Sequence, residues 1–208
     1  MAKPKQQHIT STIRKYTVTI VGMTPYSQSK MLLEKRGVGE DWDSYEARVW
    51  QQKMHVEGND PTNEDARIVI PASALSQCVA AYAQLRGEKI VGKGNKTWTK
   101  LFLSGVRVLD DAPTSKRVRD VYTETNMCDS QGNKGSSGGT RVARTFPCIA
   151  AGWKATAKFV IVDPEITQDK FHEYLTGAGF QIGLGRWRPQ NGGSKGIFEV
   201  EEISEIEK

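Results

Sequence analysis

Residues able to do chemistry concentrate in one stretch near the end of the chain, Gly183-Leu-Gly-Arg186-Trp187-Arg188-Pro-Gln-Asn191-Gly192-Gly193-Ser-Lys195-Gly196, with five glycines, two arginines, a lysine and a tryptophan. Glycine lets a backbone approach a ligand closely and adopt positive φ. Arginine holds phosphate through two parallel hydrogen bonds. An indole offers a flat face on which a base can stack. Arg186, Trp187, Arg188 and Lys195 therefore point to the backbone of a nucleic acid. A second reading of the same residues is a surface turn whose Trp187 faces the core and whose arginines are merely solvated. A dinucleotide fingerprint is excluded, because G-x-G-x-x-G must lie between a strand and a helix, whereas Gly183 and Gly185 are followed by Pro189 and then by strand-like sequence from Gly196 to Ile203. No Gly-Lys-Ser/Thr with a helix behind it is present, so the stretch is not a P-loop.

Further basic groups flank it in sequence. Gly87 to Lys100 is a glycine- and lysine-rich loop with Lys89, Lys93, Lys96 and Lys100 around Trp98, a composition suited to tracking phosphates or to a solvated loop. Residues 114–150 read as a long hairpin whose arms carry Lys116, Arg117, Arg119, Arg141 and Arg144, either a basic finger or an oligomerisation arm. Its tip, Asp129 to Gly139, is too polar and glycine-rich to pack a core and reads as a mobile linker. Ser73 and Ser76 sit at the start of a helix, where backbone N–H groups can receive an anion or where serine simply caps.

The sequence carries no recognisable catalytic or metal-binding signature. His8, His55 and His172 have no metal-ligand spacing with each other or with cysteine. G-x-S-x-G and H-E-x-x-H do not occur. The carboxylates show no converging pattern of the kind a metal-dependent nuclease uses. No catalytic residue, metal or cofactor is expected. Cys78, Cys128 and Cys148 make no C-x-x-C pair, and their odd number points to free thiols in a reducing compartment.

The elements that must position these groups follow from periodicity. Thr12–Gly22, Arg67–Ile70, Leu101–Leu109, Val118–Asn126, Thr140–Ile149, Trp153–Val162 and Gly196–Ile203 read as strands. Asp41–His55, Pro71–Gly87 and Thr167–Leu175 read as helices, with Asp41 and Thr167 as N-caps and Gly87 as the stop. Met23–Glu40 is a basic loop. The 208 residues carry a net charge of +5, understated locally because the last ten residues hold five glutamates. The start of the chain lacks an apolar stretch of the secretory kind, and no segment has the roughly 18 apolar residues of a membrane span. A cytoplasmic location is expected.

The order of elements resembles the RAMP superfamily of CRISPR-associated proteins, and most of all the backbone subunits that line guide RNA in Cascade-type effectors. Ile70-Pro71-Ala-Ser73-Ala-Leu75 is similar to the I-P-G-S-S-L-K-G helix start of those subunits, although Gln77 and Cys78 stand where a lysine and second glycine are usual. Gly183 to Gly196 is similar to their terminal glycine-rich loop, and the hairpin would be their thumb. The resemblance implies one α+β domain over residues 1–208, a ferredoxin-like (RRM-type) antiparallel sheet with helices on one face and a protruding hairpin. It implies single-stranded RNA or DNA as partner, bound without sequence preference, and copies assembled head-to-tail into an oligomer or filament, or membership of a CRISPR-type complex. An aspartate loop that cuts RNA in some relatives has no match near Glu34–Asp43. A RAMP-type endoribonuclease using His55 or His172, and a stand-alone phage-encoded protein that mimics a backbone subunit in the host cytoplasm, are the alternatives.

Overall fold

The alternation of Arg14 to Gly22 sends Tyr16, Val18 and Ile20 to one side of an extended segment, and these three are buried. In the computed structural model, which describes residues 13–129 and 141–206, this segment is β1 (Arg14–Gly22). It lies between β8 (Lys154–Ile161) and β9 (Phe198–Glu205), antiparallel to both. The outer edge of β8 is shared by β4 (Val106–Val108) and β5 (Ala112–Arg117), and β5 in turn pairs with β3 (Arg67–Ile70). A separate three-stranded sheet is built from β2 (Tyr26–Ser27), β6 (Tyr122–Asp129) and β7 (Arg141–Ile149).

Helices α2 (Ala72–Arg86), α3 (Trp98–Gly105) and α4 (Gln168–Gln181) cover the buried face of the main sheet. Phe171 of α4 stacks on Tyr16 at 5.8 Å and meets Phe159 at 5.1 Å. With α2 and α4, the strands β1, β4, β8 and β9 run in the chain order β-α-β-β-α-β, the order of a ferredoxin-like core. The architecture is α+β with antiparallel sheets, as expected. The fourth helix, α1 (Trp42–Val49), extended by a 3-10 turn over Trp50–Lys53, packs against β7. Asp41 caps it by accepting from the Ser44 N–H at 2.8 Å.

Several boundaries differ from the sequence expectation. Leu101–Leu109 is mostly helix: Trp98, Leu101, Phe102 and Gly105 lie on one helical face against Tyr174, and only Val106–Val108 is strand. The basic loop therefore ends at Thr97. Helix α4 runs six residues beyond Leu175, through Gly177 and Gly179. A Cβ at Gly177 would enter the Tyr82 ring, and one at Gly179 would strike the Phe198 carbonyl, so close packing offsets the roughly 1 kcal/mol that glycine costs inside a helix. Residues 112–117 belong to the main sheet and Val118–Asp120 is a 3-10 turn, so the hairpin proper begins at Tyr122. Of the hairpin tip expected to be mobile, Asp129 closes β6 opposite Arg141, and the rest lies outside the described residues.

Candidate nucleic-acid interface

The glycine-rich turn is stitched to the segment after β1. Gly196 N–H donates to Pro25 O at 2.8 Å, Arg186 N–H to Ser27 O at 2.9 Å, and Ile197 N–H to Thr24 Oγ1 at 2.9 Å. Gly185 sits against Ser27 and Tyr26 where no side chain fits. Trp153, fully buried where Gly22 leaves room for its ring, anchors the same corner by donating from Nε1 to Thr24 O at 3.0 Å.

This frame holds Trp187 at φ +54. The left-handed region costs a non-glycine residue on the order of 1–2 kcal/mol, so the surroundings impose it. The indole is half-buried, edge-on to Phe146 of β7 with centroids 5.1 Å apart. The Arg186 guanidinium carbon lies 3.9 Å from the Phe146 centroid and 4.9 Å from that of Trp187, and Lys195 Nζ lies 5.6 Å from the indole. Arg186 also reaches Cys128 Sγ at 3.3 Å, and Lys195 pairs with Glu124. Glu124, Cys128 and Phe146 share one face of the β6–β7 hairpin, as the register Glu124↔Phe146 and Cys128↔Val142 requires. The turn and the hairpin base thus form one unit.

A second layer lies behind it. Glu46 of α1 and Lys53 form a buried ion pair, Glu46 accepts from the Thr145 N–H at 2.8 Å, and Lys53 donates to Thr145 O at 2.7 Å. Arg144 sits between Glu46, 3.7 Å away, and the Trp42 ring at 4.5 Å. Burial pushes the Lys53 ammonium below its usual pKa; its bond to Glu46 opposes this, and the charges of Arg144 and Arg186 push it further down. Lys53, Arg144, Arg186 and Lys195 thus face Glu46 and Glu124, four cations against two carboxylates among the described residues. Arg186 Nε is buried and has no hydrogen-bond partner among them. Such a patch attracts anions and holds donors in fixed geometry.

Arg188 points the other way, over a cleft of about 170 Å³ shared with Gln77, Cys78 and Ala81 of α2 and with Gln190. Ser73 lies one helical turn before Gln77. The α2 N-terminus is already served: Ala72 N–H donates to Asp111 Oδ1 at 2.9 Å, and Ser76 Oγ accepts from Val108 N–H. No serine side chain caps α2.

The other predicted cations are elsewhere. Lys93 and Lys96 pair with Glu165, and Lys89 reaches Asn95. Glu165 follows β8 at the Arg14 end of β1, whereas the glycine turn meets the Gly22 end; eight strand steps separate them by roughly 26 Å. Trp98 is half-buried against the core beside Phe102 and Tyr174, with Lys170 over its ring at 5.2 Å. Arg117 and Arg119 are bound to Asp65 and lie outside the hairpin. Arg141, exposed opposite Asp129, is on the hairpin with Arg144. His55 adjoins β3 and His172 adjoins β9, opposite edges of the main sheet roughly 19 Å apart. The sequence reading missed Trp42, Glu46, Lys53, Glu124 and Phe146; only the alternation along β6 and β7 hinted at the last two.

No family model matches the sequence, and no curated protein matches it. Solved structures do. A chain of the Type III-B Cmr-beta complex, determined by cryo-EM bound to cognate target RNA, matches with a TM-score of 0.57 at 14% identity, over 94% of this chain and 61% of that one. Cmr6 from Pyrococcus furiosus matches at 0.50 with 12% identity, over 93% of this chain and all of Cmr6. The chain shares the fold of these two Cmr structures. The chain spans 61% of the length of the first neighbour. Nothing in these likenesses supports a phage origin. No described helix is long and apolar enough to cross a membrane.

Proposed function

We propose that this RAMP-fold chain binds single-stranded nucleic acid, with RNA the preferred ligand, along the surface where the glycine-rich turn closes on the hairpin base. Arg186, Arg144 and Lys195 take phosphates there, and Arg188 continues the path over the cleft beside α2. Because these groups meet phosphate rather than base edges, binding is independent of sequence. Trp187 holds the cations in place; a stacking base would have to displace Arg186 or Lys195 from its ring. Successive copies on one strand would lie head-to-tail. No catalytic step is assigned to the site. The observation that carries this reading is the cluster of four cations against two carboxylates where the turn meets the hairpin base, with Arg186 and Lys195 held at a tryptophan in left-handed geometry. The Cmr-beta neighbour, described as bound to target RNA, supports it from the side of the fold.

The test is a titration of labelled RNA and single-stranded DNA of about 30 nucleotides across a salt series. Log affinity should fall linearly with log salt, by about 0.7 per phosphate contact on a single strand. Arg186→Ala with Arg188→Ala should weaken binding to all sequences and flatten the slope by about 1 to 2, while Arg186→Lys retains most of it. A wild-type protein without affinity at low salt refutes the proposal.

A further inference from the structure

The main sheet has two faces, and the helices occupy only one. Tyr16, Val18 and Ile20 of β1 and Ala155, Ala157 and Phe159 of β8 turn toward the helices and are buried. Their neighbours in sequence turn outward. The register aligns Lys158 with Thr17, Thr19 with Glu202, and Lys154 with Val21 and Glu199. Across this open face lysines stand on β8 and glutamates on β9, and between them β1 carries Thr17, Thr19 and, toward its Arg14 end, Lys15. The lysines and glutamates are exposed and the threonines half-exposed. Lys154 pairs with Glu201, in the bulge where the β1–β9 register shifts.

We propose that this face is a self-complementary docking surface for a second copy of the chain. A two-fold axis lying between two such sheets and parallel to β1 exchanges the flanks while preserving strand direction. It sets β8 of each copy over β9 of the other, so one operation places both lysine rows opposite glutamate rows, as an isologous contact requires; it also brings the two Lys15 side chains together near the axis, a single like-charge contact that the two flanking rows outweigh. An axis perpendicular to β1 in the same plane would stack lysine on lysine and glutamate on glutamate, so charge selects one orientation. Nucleic acid fits this face less well. The outward positions of β1, β8 and β9 carry no aromatic ring for a base to stack on, and the glutamate flank repels phosphate. Three strands, β8, β1 and β9, about 4.8 Å apart and some eight residues long, present roughly 400 Å² per copy. The contact therefore falls in the weak, reversible range of interfaces. This inference stands apart from the binding site above and is tested without nucleic acid.

The experiment is sedimentation velocity of the full chain at low ionic strength, up to roughly 500 µM, where a contact with Kd on the order of 100 µM is largely formed. The wild type should dimerise reversibly and dissociate as salt is raised. Lys154→Glu with Lys158→Glu makes both flanks acidic, and Glu199→Lys with Glu202→Lys makes both basic; each variant alone should weaken the dimer about tenfold or more. An equal mixture of the two variants should regain dimer, because every row then meets its opposite, and this rescue cannot come from a misfolded chain. A wild type that stays monomeric, variants that dimerise unchanged, or a mixture without rescue each overturn the proposal. So does a lysine reversal that lowers RNA affinity and leaves association unchanged, an outcome that assigns the face to RNA.

Discussion

Replacing Gly196 with alanine should unhinge the candidate site, and the structure sets the size of the effect. Gly196 is buried with φ +69. Its N–H donates to Pro25 O at 2.8 Å and its carbonyl accepts from Leu184 N–H at 2.9 Å. A Cβ there would land on the Leu184 carbonyl oxygen, so the backbone must move and both bonds open. The left-handed conformation costs alanine about 1 kcal/mol, and each lost hydrogen bond contributes about 1 kcal/mol more. The sum, about 3 kcal/mol, corresponds in a chain of this size to a melting temperature lower by roughly 6–12 °C. Gly192 provides the control. Its φ is +80, but a Cβ there meets open space, so Gly192→Ala carries only the conformational cost, about 1 kcal/mol or roughly 2–4 °C. Gly193→Ala isolates the steric part, because its Cβ would strike the Trp187 carbonyl at a position without positive φ. Thermal denaturation of the three variants, with oligonucleotide titration of each, measures both consequences. Gly192→Ala should bind as the wild type does, and Gly196→Ala should bind weakly even well below its melting temperature. If Gly196→Ala and Gly192→Ala melt within about 1 °C of each other, the reasoning fails.

Three other outcomes follow from the same structure. Glu46→Ala leaves Lys53 buried without its partner and should cost about 3–5 kcal/mol in urea unfolding, whereas Glu46→Leu with Lys53→Met should recover most of that loss; a double variant no better than the single one contradicts this account of the pair. A thiol reagent near pH 8 should label the half-exposed Cys128 well before the buried Cys78 and Cys148. Burial pushes the Cys78 thiol up from 9.0 to about 12, against the opposing charge of Arg188. Its contribution to stability is therefore complete below pH 9 and lost as pH rises from 9 toward 12, and Cys78→Ala should flatten that alkaline slope in unfolding measured against pH.

Local chemistry was enough to place most of the elements. The alternation of Thr12–Gly22 and Trp153–Val162, the apolar stripe Leu75–Cys78–Val79–Tyr82 with Gly87 behind it, and the capping side chain of Asp41 each act within a few residues of where they are read. The glycine-rich turn was legible as a special conformation for the same reason. Decisions made between distant segments were not. Gly177 and Gly179 resemble a helix stop until Tyr82 and Phe198 are seen to need the space. Trp98 resembles an exposed aromatic until it is seen half-buried beside Phe102 and Tyr174. The basic residues form a list in sequence, but only tertiary structure sorts them: Asp65 holds Arg117 and Arg119, Glu165 holds Lys93 and Lys96 at the far end of β1, Arg186 and Lys195 are gathered around Phe146 and Trp187, and Arg144 rests on Trp42 and Glu46 behind them. A charge acts over a few ångströms, and which charges come that close is settled by strand register and packing rather than by composition.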